Sequence, residues 1–386
     1  MKFEGNINGK LPQVGSSIFS VMSTLANEHN AINLAQGFPD FDCSVELKQL
    51  VFDAITSGLN QYAPMPGLMS LREKIAVKTE EMYSAVYHPE TEITIVPGAT
   101  LGIYAAINAL IKENDEVIVI EPAYDSYIPS IELAGGKAII YEMQFPEYKI
   151  DWEQVKKLVS NRTRMIIINT PHNPTGSTLS SEDMKKLEKL IINTDAIILS
   201  DEVYEHIIFD GLEHQSVARF PKLAQRSVIV SSFGKTYHTT GWKLGYLLAP
   251  ENIMVQIRKA YQFMAFAANT PIQHAYAKIL DHKDMYLELG AFYQAKRDLF
   301  RKGLKGSSFK LAHCNGSYFQ SVTYEKHPDA ELSDQEMARK LTIENKVVCI
   351  PFSSFYKRKT DNKALRFCFA KSDETLNNAL DILCKL

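Results

Sequence analysis

The sequence predicts an α/β fold: a large section on a mostly parallel sheet, followed by a smaller α+β section. Three observations carry that expectation. Short, continuously apolar runs rich in isoleucine and valine recur along the first two-thirds of the chain. Runs of this kind suit strands buried on both faces of a parallel sheet. Segments of helical length separate them, and strand–helix alternation implies right-handed crossovers. Finally, 386 residues exceed what one ordinary core takes, which implies two domains or one domain with an appendage.

The elements follow in order. Residues 1–45 read as an irregular arm, punctuated by Pro12, Gly15, Gly37 and Pro39. "VELKQLVFDAITSG" (45–58) has apolar residues at helical spacing and ends on Gly58, a suitable residue just past a helix. "LMSLREKIAVKTEEMY" (68–83) reads as a second amphipathic helix. "EITIV" (92–96) precedes a helix over about 99–112, and "EVIVIE" (116–121) a helix near 125–134. "KAIIYE" (137–142) is followed by a helix capped by Asp151, and "RMIIINT" (164–170) by one opening near Ser180. "AIILSDE" (196–202), "SVIVSS" (227–232) and "LGYLLA" (244–249) complete the strands. Beyond about 250 come long helical stretches. The smaller section holds "SYFQSVTY" (317–324), "VVCIP" (347–351), "LRFCFA" (365–370) and a closing helix over 372–385. The expected division is an arm (1–45), a large domain (46–285) and a small domain (286–386).

Composition narrows the function classes. Apolar residues make up 45% and charged residues 23%, as in soluble globular proteins. A net charge of −3 argues against nucleic acid or an anionic membrane as the main partner. "MKFEGNINGKLPQ" has no apolar core of a secretory signal, and no run reaches membrane-spanning length. Cys43, Cys314, Cys349, Cys368 and Cys384 form no C-x-x-C pair. The expectation is a cytoplasmic protein with reduced, mostly buried thiols and no metal.

Ligands of such sheets bind beyond the carboxyl ends of the strands. Four places qualify. The small residues of "VPGAT" (96–100) leave the first N–H groups of a helix open to an anion, although a plain tight turn reads the same way. "NTPHNPTG" (169–176) is a surface turn or a ligand loop in which Asn173 donates inward. "SDEVYEH" (200–206) ends a buried strand on two carboxylates, which is costly without a cation. Its competing reading is a helix cap by Ser200 or Asp201 ahead of Tyr204. Fourth is "SSFGKTYHTTGWKLG" (231–245). Its Gly234-Lys235-Thr236 ends like a P-loop, but the first glycine of that motif falls on Ile229, inside an apolar strand, so a nucleotide cradle is rejected. Two lysines and several hydroxyls still suit a phosphate. A phosphate pocket, a buried acid and a lysine on adjacent strand ends fit pyridoxal phosphate, which needs an amine to bond and a carboxylate beside its ring nitrogen.

At this point the chain resembles the fold-type-I pyridoxal-phosphate aminotransferases of class I/II. Within them it is similar to the methionine, glutamine and kynurenine (aromatic) branch. The motifs "QGFPDF", "NQYAPMPG", "PGAT", "EPAYDSY", "NPTG", "SDEVY", "SSFGKT", "GWKLG" and "RF" come in the family's order across nearly the whole chain. The resemblance implies the aspartate-aminotransferase-like fold and a role for each residue. Lys235 matches the lysine that bonds the cofactor and shuttles the proton. Asp201 matches the partner of the ring nitrogen, and Tyr204 and Asn173 the donors to the ring oxygen. Tyr124 matches the stacked aromatic residue. Ala99 and Thr100 match backbone phosphate ligands, with Ser232 adding a hydroxyl and Lys243 a charge. Tyr62 matches a tyrosine reaching the phosphate of a neighbouring subunit, which implies a homodimer. Arg366 and Gly37 match the groups that hold the substrate carboxylate, with Asn173 beside them.

Lys243 stands where aspartate-type members carry an arginine. Nothing corresponds to their second substrate arginine, which argues against an aspartate donor. "FMAFAANTPIQ" (263–273) matches a helix near the side-chain pocket, with Phe266 retained and small Ala267 and Ala268 after it. The implied activity is transfer of an amino group from an apolar or aromatic L-amino acid to a 2-oxo acid. A β-lyase acting on a sulfur amino acid is the alternative. Glu202, His206, His172 and Trp242 read as ordinary polar or packing residues. Tyr127 reads as a core aromatic whose phenol could approach the pocket.

Overall fold

The computed structural model describes residue 1 and residues 3–386. The chain opens with α1 (Ile18–Glu28), β1 (Ile32–Asn33), α2 (Val45–Thr56) and α3 (Met69–Tyr83). Strand–helix units follow: β2 (Ile93–Val96) with α4 (Ala99–Leu110), then β3 (Glu116–Glu121) with α5 (Tyr127–Leu133). Next come β4 (Lys137–Glu142) with α6 (Trp152–Leu158), and β5 (Thr163–Asn169) with α7 (Ser181–Ile191). β6 (Ile197–Asp201), α8 (Pro221–Ala224), β7 (Ser227–Ser232), the single turn α9 (Phe233–Thr236) and β8 (Gly245–Leu248) complete this part. Four helices come next: α10 (Glu251–Met264), α11 (Thr270–Ile279), α12 (Asp284–Leu287) and α13 (Leu289–Gly303). The last part holds β9 (Lys310–Leu311), β10 (Phe319–Thr323), α14 (Asp334–Ile343) and β11 (Val347–Val348). It ends with β12 (Ile350–Pro351), β13 (Ala364–Cys368) and α15 (Asp373–Leu383).

The seven-stranded sheet runs β2-β8-β7-β6-β5-β3-β4. Its strands sort their side chains by the two-residue period of extended chain. Ile118, Ile120, Ile166, Ile168, Ile198 and Ile229 enter one apolar cluster, and Val117, Val119, Met165, Ile167, Leu199 and Val228 another. Both faces are therefore buried, which explains runs without polar alternation. Each such side chain contributes roughly 1.5–3 kcal/mol on burial. β4 departs from the rule: it lies at the edge and is mostly half-buried. β8 departs in direction, pairing antiparallel with both β7 and β2. Because β8 begins where its neighbours end, Lys243 just before it reaches the same sheet edge as Ser232 and Val96.

A four-stranded antiparallel sheet, β12-β13-β10-β9, forms the second layer system, and β1 pairs parallel with β11. Its apolar cluster takes in Tyr204, Ile207 and Phe209 from the loop after β6, so the two sheets are joined through that loop.

Three expectations need correction. Residues 1–45 are not irregular throughout: α1 forms over 18–28, with the Ser17 hydroxyl accepting from Ser20 N–H. Its signal was present, since Ser17 precedes Ile18, Met22, Leu25 and Ala26 at helical spacing. No helix follows Asp201; residues 203–206 form a turn, and the Asp201 carboxylate accepts from Val203 N–H. The segment 263–273 is not one helix: it spans the end of α10, a break over 265–269 and the start of α11. Phe266 sits at φ +64°, Asn269 caps α11, and Pro271 occupies its first turn.

Candidate active site

The carboxyl ends of β5, β6 and β7 meet the N-terminus of α4 and the small sheet around one pocket of about 340 Å³. Eleven of the proposed residues line it: Gly37, Ala99, Thr100, Tyr124, Asn173, Asp201, Tyr204, Ser232, Lys235 and Lys243, with Arg366 from β13. Tyr62 is not among them. It is 84% exposed and meets Phe266 edge-on with ring centroids 5.3 Å apart.

Register explains the convergence. Asn169 pairs with Asp201 and Asp201 with Val230, so β5 and β6 end side by side and β7 runs two residues further, to Ser232. The Asn169 amide fixes the arrangement: its Nδ2 donates to the Asp201 carbonyl at 2.8 Å, and its Oδ1 accepts from Asn173 N–H at 2.8 Å. Asn169 also lines the pocket. It is absent from the expected site; its signal in the sequence is a polar residue ending an isoleucine run.

The anion end is built from backbone. Gly98, at φ +83°, precedes α4, and no side chain among the described residues caps that helix. Its first N–H groups stay open, with the helix dipole favouring a negative charge. A Cβ on Gly98 would lie 3.3 Å from Lys243 Nζ, and one on Gly245 would meet the Ser231 carbonyl at 2.6 Å. The loop and the lysine thus share a cradle only glycine permits. Two hydroxyls from the same stretch are spent elsewhere: Thr239 pairs with Tyr276, and Thr236 donates to the Ser232 carbonyl. Ser232 and Thr240 remain in the lining.

The charged side chains are buried with few partners. Asp201 is 4% exposed. Its carboxylate accepts from two donors among the described residues, Tyr127 Oη at 2.5 Å and Val203 N–H at 3.3 Å. Burial pushes its pKa up to about 6, against the pull of those donors. Lys235, half-buried in the pocket floor, donates to the Gly37 carbonyl at 3.1 Å. Desolvation brings its amine down to about 8. Arg366 is 1% exposed and lies 3.9 Å over the Phe319 ring. Its guanidinium donates to Asn173 Oδ1 and the Ala35 carbonyl, both at 2.7 Å, while Nε has no partner among the described residues. Burial lowers its pKa to about 10, so it remains a cation at neutral pH. Gly37 is placed by its carbonyl, which accepts from Lys235 and, at 2.5 Å, from Tyr318 Oη.

Of the residues read as ordinary, Glu202 and His172 are buried and paired, His206 is buried with no hydrogen-bond partner for Nε2 among the described residues, and Trp242 is half-buried. Glu202 accepts from Ser200 Oγ and contacts His214 Nε2, each at 2.7 Å; His172 pairs with Thr175 at 2.8 Å. Cys349 and Cys368 are buried, and desolvation raises both thiols.

Comparison with known proteins agrees with this geometry. The profile of the family described as aminotransferase class I and II matches residues 29–383. The methionine aminotransferase of Escherichia coli (strain K12) is 45% identical over 378 residues, covering 98% of this chain and 97% of its own. A probable N-succinyldiaminopimelate aminotransferase of Mycobacterium tuberculosis is 34% identical, covering 96% of each. The solved structure of YbdL from Escherichia coli, described as having a methionine aminotransferase function, superposes with a TM-score of 0.97 at 44% identity, over 99% of this chain and all of that one.

Proposed function

We propose, for a chain that belongs to the class I and II aminotransferases, that it binds pyridoxal phosphate and moves the amino group of methionine or a similar apolar or aromatic L-amino acid to a 2-oxo acid. One observation carries the reading: a buried acid, a half-buried lysine and a buried arginine, each short of partners, face one pocket beside an uncapped helix end.

The residues present fit that cofactor. Ala99 and Thr100 N–H, Ser232 Oγ and Lys243 Nζ would hold its phosphate. Asp201 would hold the ring nitrogen, Tyr204 and Asn173 the ring oxygen, and Tyr124 the ring face. When bound, the cofactor supplies an electron sink and a carbon that carries the amino group. Lys235 supplies the amine. At a pKa near 8 it sheds and regains a proton at neutral pH, as general acid–base work requires. The Gly37 carbonyl gives that amine a defined position when it is free. Arg366 already uses two donors on Asn173 and Ala35, and its fork suits a planar carboxylate, so it would orient the substrate. Pocket walls of Phe19, Phe38, Phe319 and Ile103 favour an apolar side chain. The cations in the lining are Lys235, Lys243 and Arg366, which leaves none for an acidic side chain.

The same reading has a second copy of the chain bring Tyr62 to the phosphate. Phe38, Tyr62, Phe263 and Phe266 are exposed aromatics that a homodimer would cover. It places the protein in a reducing, cytoplasmic compartment, supported by five free cysteines. No described helix is long and apolar enough to cross a membrane.

A single-turnover panel of amino acids tests the proposal through loss of the visible absorbance of the bound cofactor. Methionine and aromatic donors are expected to react fastest, with aspartate slow. A preference for aspartate would overturn the donor class. Steady ammonia release from cystathionine without added 2-oxo acid would replace the reaction with a β-elimination.

A further inference from the structure

We propose that Tyr127 is a positioning residue that holds Asp201 as the ionised partner of the cofactor ring nitrogen and at the same time orients the stacking ring of Tyr124; this rests on the pyridoxal phosphate reading above. The aromatic residue opens α5, 2% exposed, and its Oη donates to Asp201 Oδ2 at 2.5 Å. Its ring meets Tyr124 edge-on, centroids 5.7 Å apart at 79°. One side chain thus touches both the carboxylate at the ring nitrogen and the residue across the ring face.

The chemistry follows from the donor count. A buried carboxylate needs several donors to stay ionised, and Asp201 has one strong donor, this phenol, beside a long backbone contact. Desolvation and the Asp201 charge keep the phenol far from ionisation, so it acts as a fixed donor across the working pH range. By spreading the carboxylate charge, it lowers the proton affinity of Asp201 and leaves the shared proton on the ring nitrogen. The backbone of Asp201 is held separately, by the β5–β6 ladder and the Asn169 amide, so loss of the phenol oxygen alone leaves the strand end in place. Tyr127 also lines a second cavity of about 560 Å³ behind the site. Its ring packs against Tyr124 on one side and that cavity on the other, and the test must keep the ring.

Tyr127→Phe does so. Binding of pyridoxal phosphate and of an analogue with C–H in place of the ring nitrogen would be titrated by absorbance and fluorescence, in wild-type and variant protein stripped of cofactor. Loss of a hydrogen bond to a charged group predicts pyridoxal phosphate binding weaker by about 10- to 100-fold. The analogue has no ring proton to share, and its binding is expected to fall by less than about threefold, the difference being the coupling between phenol and ring nitrogen. Equal weakening of both compounds, or of neither, overturns the role while leaving the cofactor reading intact. Failure of the wild-type protein to bind either compound overturns both.

Discussion

Two buried charge clusters lie on the large sheet, and they differ in how well they are matched. Beneath the sheet, Glu205 accepts from Lys78 Nζ at 2.9 Å, Tyr83 Oη at 2.6 Å and Tyr246 Oη at 3.0 Å. Lys78 also donates to Tyr246 at 2.9 Å. Burial alone would raise the Glu205 pKa, yet Lys78, His206 and Tyr83 hold it well below the ordinary carboxylate range. At the strand ends the signs reverse: burial wins, raising Asp201 to about 6 and lowering Lys235 to about 8. The first cluster is complete without a ligand. The second is a set of charges with no opposite charge paired to them among the described residues, which is how perturbed groups mark a functional site.

The two clusters are expected to respond differently to mutation. The largest effect is expected from Lys235→Ala: turnover falls by about 10⁴-fold as the amine that moves the proton is lost, and the visible band of the bound cofactor disappears. Near-normal turnover would remove Lys235 from the chemistry. Lys78→Met acts on stability. It strands Glu205 in the interior and costs about 3–5 kcal/mol, read as a lower denaturation midpoint, while turnover at low temperature changes less than severalfold. Arg366→Ala should lower kcat/KM by roughly 100- to 1,000-fold as the carboxylate anchor is lost. An unchanged value would show that the substrate is held elsewhere.

The smallest effect has the opposite sign. Asp201 has a higher pKa folded than unfolded, so its contribution to stability is full below about 4 and is lost as pH rises through about 6. At pH 8 the cofactor-free protein carries the whole penalty, about 3 kcal/mol from the shift of about two pKa steps. Asp201→Asn is therefore expected to raise the melting temperature of the cofactor-free protein at pH 8, with the gain fading as pH falls to 4. It would at the same time depress transamination. A gain independent of pH would mean that the carboxylate is not the source.

Much of this was legible in the sequence where one stretch carried the signal. The Asp151 and Ser180 caps, the glycine after α2 and the apolar strand runs were all read locally, and the structure places them as expected. So were the strand-end motifs, whose members meet in one pocket. The misreadings came from weighing a few residues against a stronger neighbour. Pro12 and Gly15 hid α1, and the apolar content of 263–268 hid a left-handed Phe266.

By itself, the sequence determined the order and type of the elements and the chemistry of the strand ends, because periodicity, caps and turn residues act within a few positions. Only the tertiary structure decided how those groups are paired. Tyr127 reaches Asp201 across 74 residues, Arg366 reaches Ala35 across 331, and Lys78 finds Glu205 across 127. Whether a buried charge is matched or left short depends on such closures, and no local pattern encodes them. The antiparallel β8, which brings Lys243 to the same edge as Ser232, is a product of the assembled sheet in the same way.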